Sequence, residues 1–528
     1  MSFVAPIALA GQVAVACVLF VVCVIVKMVF FVRVARMQRP SISRVPGPRL
    51  ARWSRLWIAW ALRTGRSHEV WVGVNREYGP VARIGPNHVI TDDPEITRRI
   101  LAARSGYVRG PWFDSVRIDP HIPNIVSERD PKKHSRIRAK LAPSFTGNSV
   151  ATMEPVIDGL IAGWIDTLRK RFASPGQVSF DISSRIQYLT TDIITKICLG
   201  DEIGCVKHDR DMHDVLETVE VGNRVCQYFS VFLELNTLLL YLAKIPALRK
   251  ALFPKVGDKA GVGRLMGIIR QAIEKRDKEE GSPSNDIVSS LLSRGMPKDQ
   301  IDSEVVIALV AGSDTTSTSV QGTLLSIITN PQVYKTLTAE IRGAMARGNV
   351  SSPVIRDAEA KQLVYLQACV LEGLRKFPPL SQLRERVVPE GGDFLGMFHL
   401  PVGTFVGLNA WGLQLNKDVY GDNADLFCPE RWLVDNPHRL HAMHQTHSLI
   451  FGHGSTKCLG TSIAMMEVAK VIFELLRNFE ITIANPHKPW SSQCYGIFFQ
   501  KDFNVRLRPV EDTYAQPPKY EQVILSDS

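Results

Sequence analysis

The chain has 528 residues, 45% hydrophobic and 22% charged, an ordinary balance for a globular protein with a large core. Its nine cysteines stand singly with no C-x-x-C pair, which excludes a zinc ribbon and a dense disulfide scaffold and suits reduced thiols in a cytosol-facing domain. The net charge of +11 is localised: no acidic residue precedes Glu69, and ten Lys/Arg fall between Lys27 and Arg66, so the body is near neutral and no nucleic-acid surface is expected.

In chain order, Ile7 to Val26 is an uncharged apolar run long enough to span a hydrocarbon core of about 30 Å. Positive charge follows it rather than precedes it, as in an anchor and not a cleaved signal. Residues 1–32 are therefore expected to be one transmembrane helix and 33–50 a basic linker stiffened by "RVPGP". Residues 51–510 form the main domain, and the polar segment 511–528, with "PPKY", reads as a disordered tail. Within the body helical spacing dominates, as in Ser149 to Phe172 and Ile301 to Ile328. Strand-like stretches are short, near residues 85, 400 and 505, so the expected class is mainly α with small antiparallel β-sheets. From Gly204 to Gly263 the pattern is irregular and sets no helix ends.

Four local patterns carry chemistry. "IALVAGSDTTSTS" places Ala311, Gly312, Asp314 and Thr315 inside an apolar helix, where an acid without partners is costly. "VLEGLRKFPP" sets Glu372 and Arg375 three apart on one helix face, a pair worth little if exposed. "FCPERW" supplies Glu430 and Arg431. "FGHGSTKCLG" sets Phe451, Gly454, Lys457, Cys458 and Gly460 in the spacing F-x-x-G-x-x-x-C-x-G. Such a loop could bring a thiolate to haem iron, with glycines for close backbone approach and a following helix aiming its positive end at the sulfur. Taken alone, it also fits a buried structural cysteine in a Gly-rich turn.

Together, in this order, the four motifs resemble the cytochrome P-450 family of haem-thiolate monooxygenases, from the anchor to about residue 510, and "RVVPEGG" and "CLG" are similar to fungal microsomal members of secondary metabolism. The resemblance implies the cytochrome P-450 fold, haem b with Cys458 as axial iron ligand, and Phe451, Gly454, Lys457 and Gly460 around it. Asp314 and Thr315 would deliver protons, with Ala311 and Gly312 leaving room for oxygen. Glu372, Arg375 and Arg431 would form a structural network. "PKKHSRIRAKLAPSF" is similar to the family's W-x-x-x-R helix, with His134 for tryptophan, so His134, Arg138 and Arg386 would meet the haem propionates. The family's usual arginine two residues before the cysteine is Thr456 here, which leaves Lys457 or those three residues to serve.

The implied partners are O2, an NADPH-dependent flavoprotein reductase, since no Gly-rich dinucleotide fingerprint is present, and a lipophilic small molecule. The catalytic unit would be monomeric, on the cytosolic side of the endoplasmic reticulum membrane and held by a single pass. Two rival readings are a haem-thiolate isomerase or dehydratase and a non-enzymatic haem sensor; both fit poorly with an intact Asp314–Thr315 pair. The run His438, His441, His444, His447 recurs every three residues, drifts around a helix, and is expected to be solvated rather than metal-binding.

Overall fold

The computed structural model describes residues 40–173, 179–278 and 286–510. The expected anchor, residues 33–39 of the linker and the 511–528 tail lie outside the described residues. Among the described residues no single helix is long and apolar enough to cross a membrane.

Nine helices position the site: α1 (Pro131–Leu141), α2 (Asn148–Phe172), α3 (Ile182–Leu199), α4 (Val215–Val231), α5 (Gly261–Lys278), α6 (Lys298–Ile328), α7 (Val364–Lys376), α8 (Pro437–His447) and α9 (Thr461–Asn478). Their ends follow local chemistry. Asp130 caps α1 by accepting from the Lys132 and Lys133 amides at 2.8 and 3.0 Å, with Pro131 in the first turn. Gly200, at φ 81°, closes α3 in the left-handed conformation. The 31-residue α6 runs through the interior and is buried almost all round from Ser313 to Leu324, a stretch of mostly small hydroxyl side chains, several of which are satisfied within the helix, as Thr315 and Ser319 are by the carbonyls one turn back. Its neighbours are α3, α7, α9 and α5. The main core joins Ile161 and Trp164 of α2, Ile193 of α3, Leu324 of α6 and Phe473 of α9.

Beside the helices lies a five-stranded sheet of β1 (Val81–Gly85), β2 (His88–Thr91), β3 (Val108–Arg109), β4 (Arg386–Val387) and β5 (Phe405–Leu408), in the order β1-β2-β5-β4-β3. All its pairings are antiparallel except β2 with β5, which run parallel with His88 opposite Phe405. A parallel pair needs a crossover, and here the helical body supplies it. The remaining sheets are antiparallel: a three-stranded one that holds Phe479–Ile483 and Asn504–Pro509, and two hairpins at 393–400 and 491–501.

The irregular stretch resolves into Cys205–His208, α4, Leu233–Leu242 and Pro246–Leu252. Its apolar residues Val221, Leu235, Leu238, Tyr241 and Ile245 are exposed. A pattern that presumes a buried stripe therefore fails there.

Candidate active site

The segment Phe451–Gly460 arches between α8 and α9. Gly452 and Gly454 adopt φ of 77° and 60°, and a Cβ at Gly454 would lie 2.5 Å from the Leu101 carbonyl oxygen. Only glycine fits such a left-handed, closely packed turn. The Cys458 amide donates to the Phe451 carbonyl at 2.7 Å, which closes the loop, and α9 starts three residues after the cysteine. Cys458 is accessible, although it lies within the protein body. Burial raises its thiol, opposed by hydrogen bonding from Gly460 and Thr461 and by the charges of Arg138 and Arg384. Phe451 is half-buried against the main core and Lys457 is exposed.

Around this loop the fold gathers cations. His134 is buried in α1, and its Nε2 lies 3.1 Å from Arg109 Nη2. An arginine can only donate, so Nε2 accepts and the ring proton stays on Nδ1. Burial and the charges of Arg109, Arg138 and Arg386 push His134 down to about 3, which keeps it neutral. Arg138 Nη1 donates to the Lys457 carbonyl at 2.8 Å. Arg386, buried on β4, donates to Thr456 Oγ1 at 3.3 Å. Burial and the charges of Arg109 and Arg384 lower Arg386 to about 9. Arg384 has φ of 42°, uncommon for a non-glycine residue, and its buried Nε has no partner among the described residues.

Among the described residues none of these four arginines forms an ion pair with a carboxylate. Buried like charges require counter-charge, and a haem with its two carboxylates beside an accessible thiol meets that need; the residues fit the group. Arg109 and Arg384 were not anticipated from sequence. Arg109 stands alone in a two-residue strand, and only its closeness to Arg386 in the sequence "LRERVV" could have drawn attention to Arg384.

On α6, Ala311 is exposed and Thr315 half-buried. Thr315 Oγ1 donates to the Ala311 carbonyl at 2.6 Å. Gly312 lies where α6 crosses α3 closely. A Cβ there would lie 2.7 Å from Ile194 Cδ1 and Cγ1, so packing against α3 requires the glycine. Asp314 is buried, accepts on Oδ1 from Gln187 Nε2 at 2.8 Å, and has no partner for Oδ2 among the described residues. Burial pushes its carboxyl up to about 7 despite that bond.

The network around Glu372 is buried. Glu372 receives Arg375 Nη2 at 2.7 Å and Nε at 2.8 Å, Arg431 Nε at 3.0 Å, Trp432 Nε1 at 2.9 Å and the Cys428 amide at 2.9 Å. The arginines spend their other donors on the carbonyls of Gln414, Ala424, Leu426, Tyr420 and Asn423. Burial alone would raise the Glu372 carboxyl, but Arg375 and Arg431 hold it below its ordinary value.

The histidine run forms α8, and one of its members departs from the expected solvation. His438, His441 and His444 are exposed, but His447 is buried with Nε2 3.0 Å from the Leu371 carbonyl and its ring edge-on to Trp432. Burial pushes His447 down to about 4.

A cavity of about 30 Å³ is lined by Trp112, Gln227, Val231, Ser381, Gln382 and Leu383, among others. A larger open cleft of about 510 Å³ lies elsewhere, between Asp119, Arg249 and Asp302, with none of the residues above.

Residues 45–504 match the family described as Cytochrome P450. The chain is 33% identical over 479 residues to cytochrome P450 monooxygenase aba1 of Botryotinia fuckeliana, covering 89% of this chain and 93% of that protein. It is 31% identical over 521 residues to cytochrome P450 monooxygenase abl1 of Leptosphaeria maculans, covering 94% and 90%. Identity to pisatin demethylase of Fusarium vanettenii is 28% over 474 residues, 89% of each chain.

Proposed function

Since the chain belongs to the cytochrome P450 family and is an oxidoreductase of its monooxygenase type, we propose that it oxidises a lipophilic small molecule with electrons from an NADPH-dependent flavoprotein reductase, as a membrane-anchored enzyme. The observation that carries this reading is the convergence of an accessible Cys458 with an unpaired cluster of arginines. Cys458 would ligate haem b, and Arg109, Arg138, Arg384, Arg386 and the Nδ1–H of His134 would receive its carboxylates. Bound there, haem supplies the activation of dioxygen that places one oxygen atom in the substrate and releases the other as water.

The chain's own residues hold and move protons. Asp314, at about 7, can carry a proton or release it near neutral pH, as a general acid must. Thr315 follows it on α6, with its hydroxyl held by the Ala311 carbonyl until a better acceptor competes. The thiolate charge is moderated by the Gly460 amide, the nearby arginines and the N-terminus of α9.

Lys457 is exposed, and so are Lys132, Lys133 and Arg136 of α1, the helix whose Arg138 bonds the Lys457 carbonyl. These basic residues suit an acidic reductase. The apolar run Ile7–Val26 and the exposed Trp53, Leu56 and Trp60 support a single-pass anchor in the endoplasmic reticulum, with the monomeric catalytic unit on the cytosolic side. The relative from Fusarium vanettenii is named for demethylating pisatin, and we carry over to this chain a role in oxidative tailoring within fungal secondary metabolism.

The test is the absorption spectrum of the dithionite-reduced membrane fraction with and without carbon monoxide, for the wild type and Cys458→Ala. A strongly red-shifted Soret band that disappears in the variant is expected. A band typical of histidine-ligated haem, or one unchanged by the substitution, would overturn the assignment.

A further inference from the structure

Asp314 is buried on α6, and the hydrogen bond from Gln187 Nε2 is the sole partner of its carboxylate oxygens among the described residues. Gln187 lies on α3, half-buried between the buried Ile186 and Leu189. The two helices are fixed to each other one turn further on, where Thr191 Oγ1 and Ser313 Oγ are 2.6 Å apart. Thr191 also lies 2.7 Å from the Gln187 carbonyl, so the backbone that presents the amide is tied to α6 through the same hydroxyl. The geometry is specific: one donor, one oxygen, and a second oxygen left bare.

An amide N–H at Oδ1 favours the form in which Oδ1 is the stronger acceptor. A proton taken up by the carboxyl therefore resides on Oδ2. The same bond favours the ionised form and opposes the desolvation that favours the neutral one. Without it, the buried carboxyl would hold its proton more tightly and give it up more slowly.

One other charged group bears on Asp314, Glu220 of α4, which acts to keep the proton on. Glu220 is itself paired with Arg224 and, at 3.0 Å, with Lys501 of the 491–501 hairpin. Arg185, the nearest cation to Gln187 along α3, is engaged by Asp209 at 2.9 Å. None of these groups replaces the amide.

We infer that Gln187 is a positioning residue for proton delivery, whose amide holds Asp314 Oδ1, directs the transferable proton to Oδ2 and keeps that proton exchangeable. This rests on the reading of Asp314 as the proton carrier.

The probe is the infrared carbonyl band of protonated Asp314 in the full-length, haem-loaded chain, identified by its loss in Asp314→Asn and followed against pH. Gln187→Met keeps the side-chain length and removes the donor. It should move the band to higher frequency, because the carbonyl loses its donor, and raise the titration midpoint by up to about one pH unit. Glu220→Gln should lower the midpoint and leave the band position unchanged. With reductase and NADPH, Gln187→Met should raise the peroxide released per NADPH, but should add nothing in the Asp314→Asn background. A merely structural role would add its effect in both backgrounds.

A carbonyl band that stays in place and titrates as in the wild type would overturn the role of Gln187, whatever happens to turnover. Asp314→Asn with wild-type coupling would instead overturn the proton-carrier reading on which the inference stands. Retention of the reduced carbon monoxide band in Gln187→Met keeps misfolding apart from both outcomes.

Discussion

Glu372 is buried without residual exposure and stays ionised because every lone pair that matters is used. Removing one neutral donor, as in Trp432→Phe, should cost about 1.5–3 kcal/mol, the range for a hydrogen bond to a charged group. Glu372→Gln leaves two arginines without counter-charge and should cost about 3–5 kcal/mol. Denaturant unfolding with the reduced carbon monoxide band as second readout measures both; equal losses in the two variants would contradict the ranking. Asp314 makes the opposite case. Its folded-state value of about 7 lies above the ordinary 3.8, so the folded chain keeps a proton that the unfolded chain releases. Stability from this group therefore falls as pH rises from about 4 to 7 and levels off above. Relative to wild type, Asp314→Asn should gain about 2–3 kcal/mol between pH 5 and pH 8. Unfolding curves at the two pH values check the sign. Glu372, Arg375, Arg431 and Cys458 could be read in advance because each sits in a short motif whose spacing carries its role. Trp432, Gln187, Arg109 and Arg384 could not, since their roles arise only from partners distant in the chain.

Between elements, the close crossings of α6 decide what its sequence can be. At Gly312 the constraint comes from Ile194 of α3, and at Gly373 of α7 a Cβ would lie 2.0 Å from Thr323 Oγ1 of α6. Gly312→Ala should destabilise by about 1–3 kcal/mol through overpacking. Ile194→Ala should also destabilise, through the cavity it leaves. Because each substitution relieves the other, the double variant should lose less than the sum, a non-additivity that thermal unfolding of the four proteins would register. Strict additivity would mean that the two residues do not press on each other. Long helices such as α2 and α6 were legible from their apolar periodicity, because a helix forms from residues close in sequence. The parallel pairing of β2 with β5 was not, because it joins residues more than 300 positions apart, and strands of four residues carry no signal for their partners. The α4 region stayed obscure for another reason: Val221, Val225 and Tyr228 face outward while Val215, Val219 and Val231 are buried, so its apolar residues do not mark a single buried stripe.

Across the whole molecule, the helical body and the five-stranded sheet are joined at a cluster of positive charge. Arg109 and Arg386 come from the sheet, His134 and Arg138 from α1, and both arginines of the sheet lie about the ring of Phe113, each 5.0 Å from its centroid. Such a cluster weakens the protein that carries it, because each cation is desolvated next to others of the same sign. On the proposed reading it becomes favourable when the haem carboxylates balance it, which would link stability and prosthetic-group binding through these residues. Arg386→Met should therefore act in opposite directions on the two forms. Haem should leave the loaded variant at least ~10-fold faster in transfer to a haem-scavenging globin, as expected when one partner of a buried charged contact is removed. The haem-free variant should unfold at higher denaturant than haem-free wild type, since the charge that repelled Arg109 and Arg384 is gone. If both forms lost stability together, Arg386 would be a packing residue and the cluster would owe nothing to haem. Opposite shifts would place the cost of the cluster in the empty protein and its benefit in the loaded one.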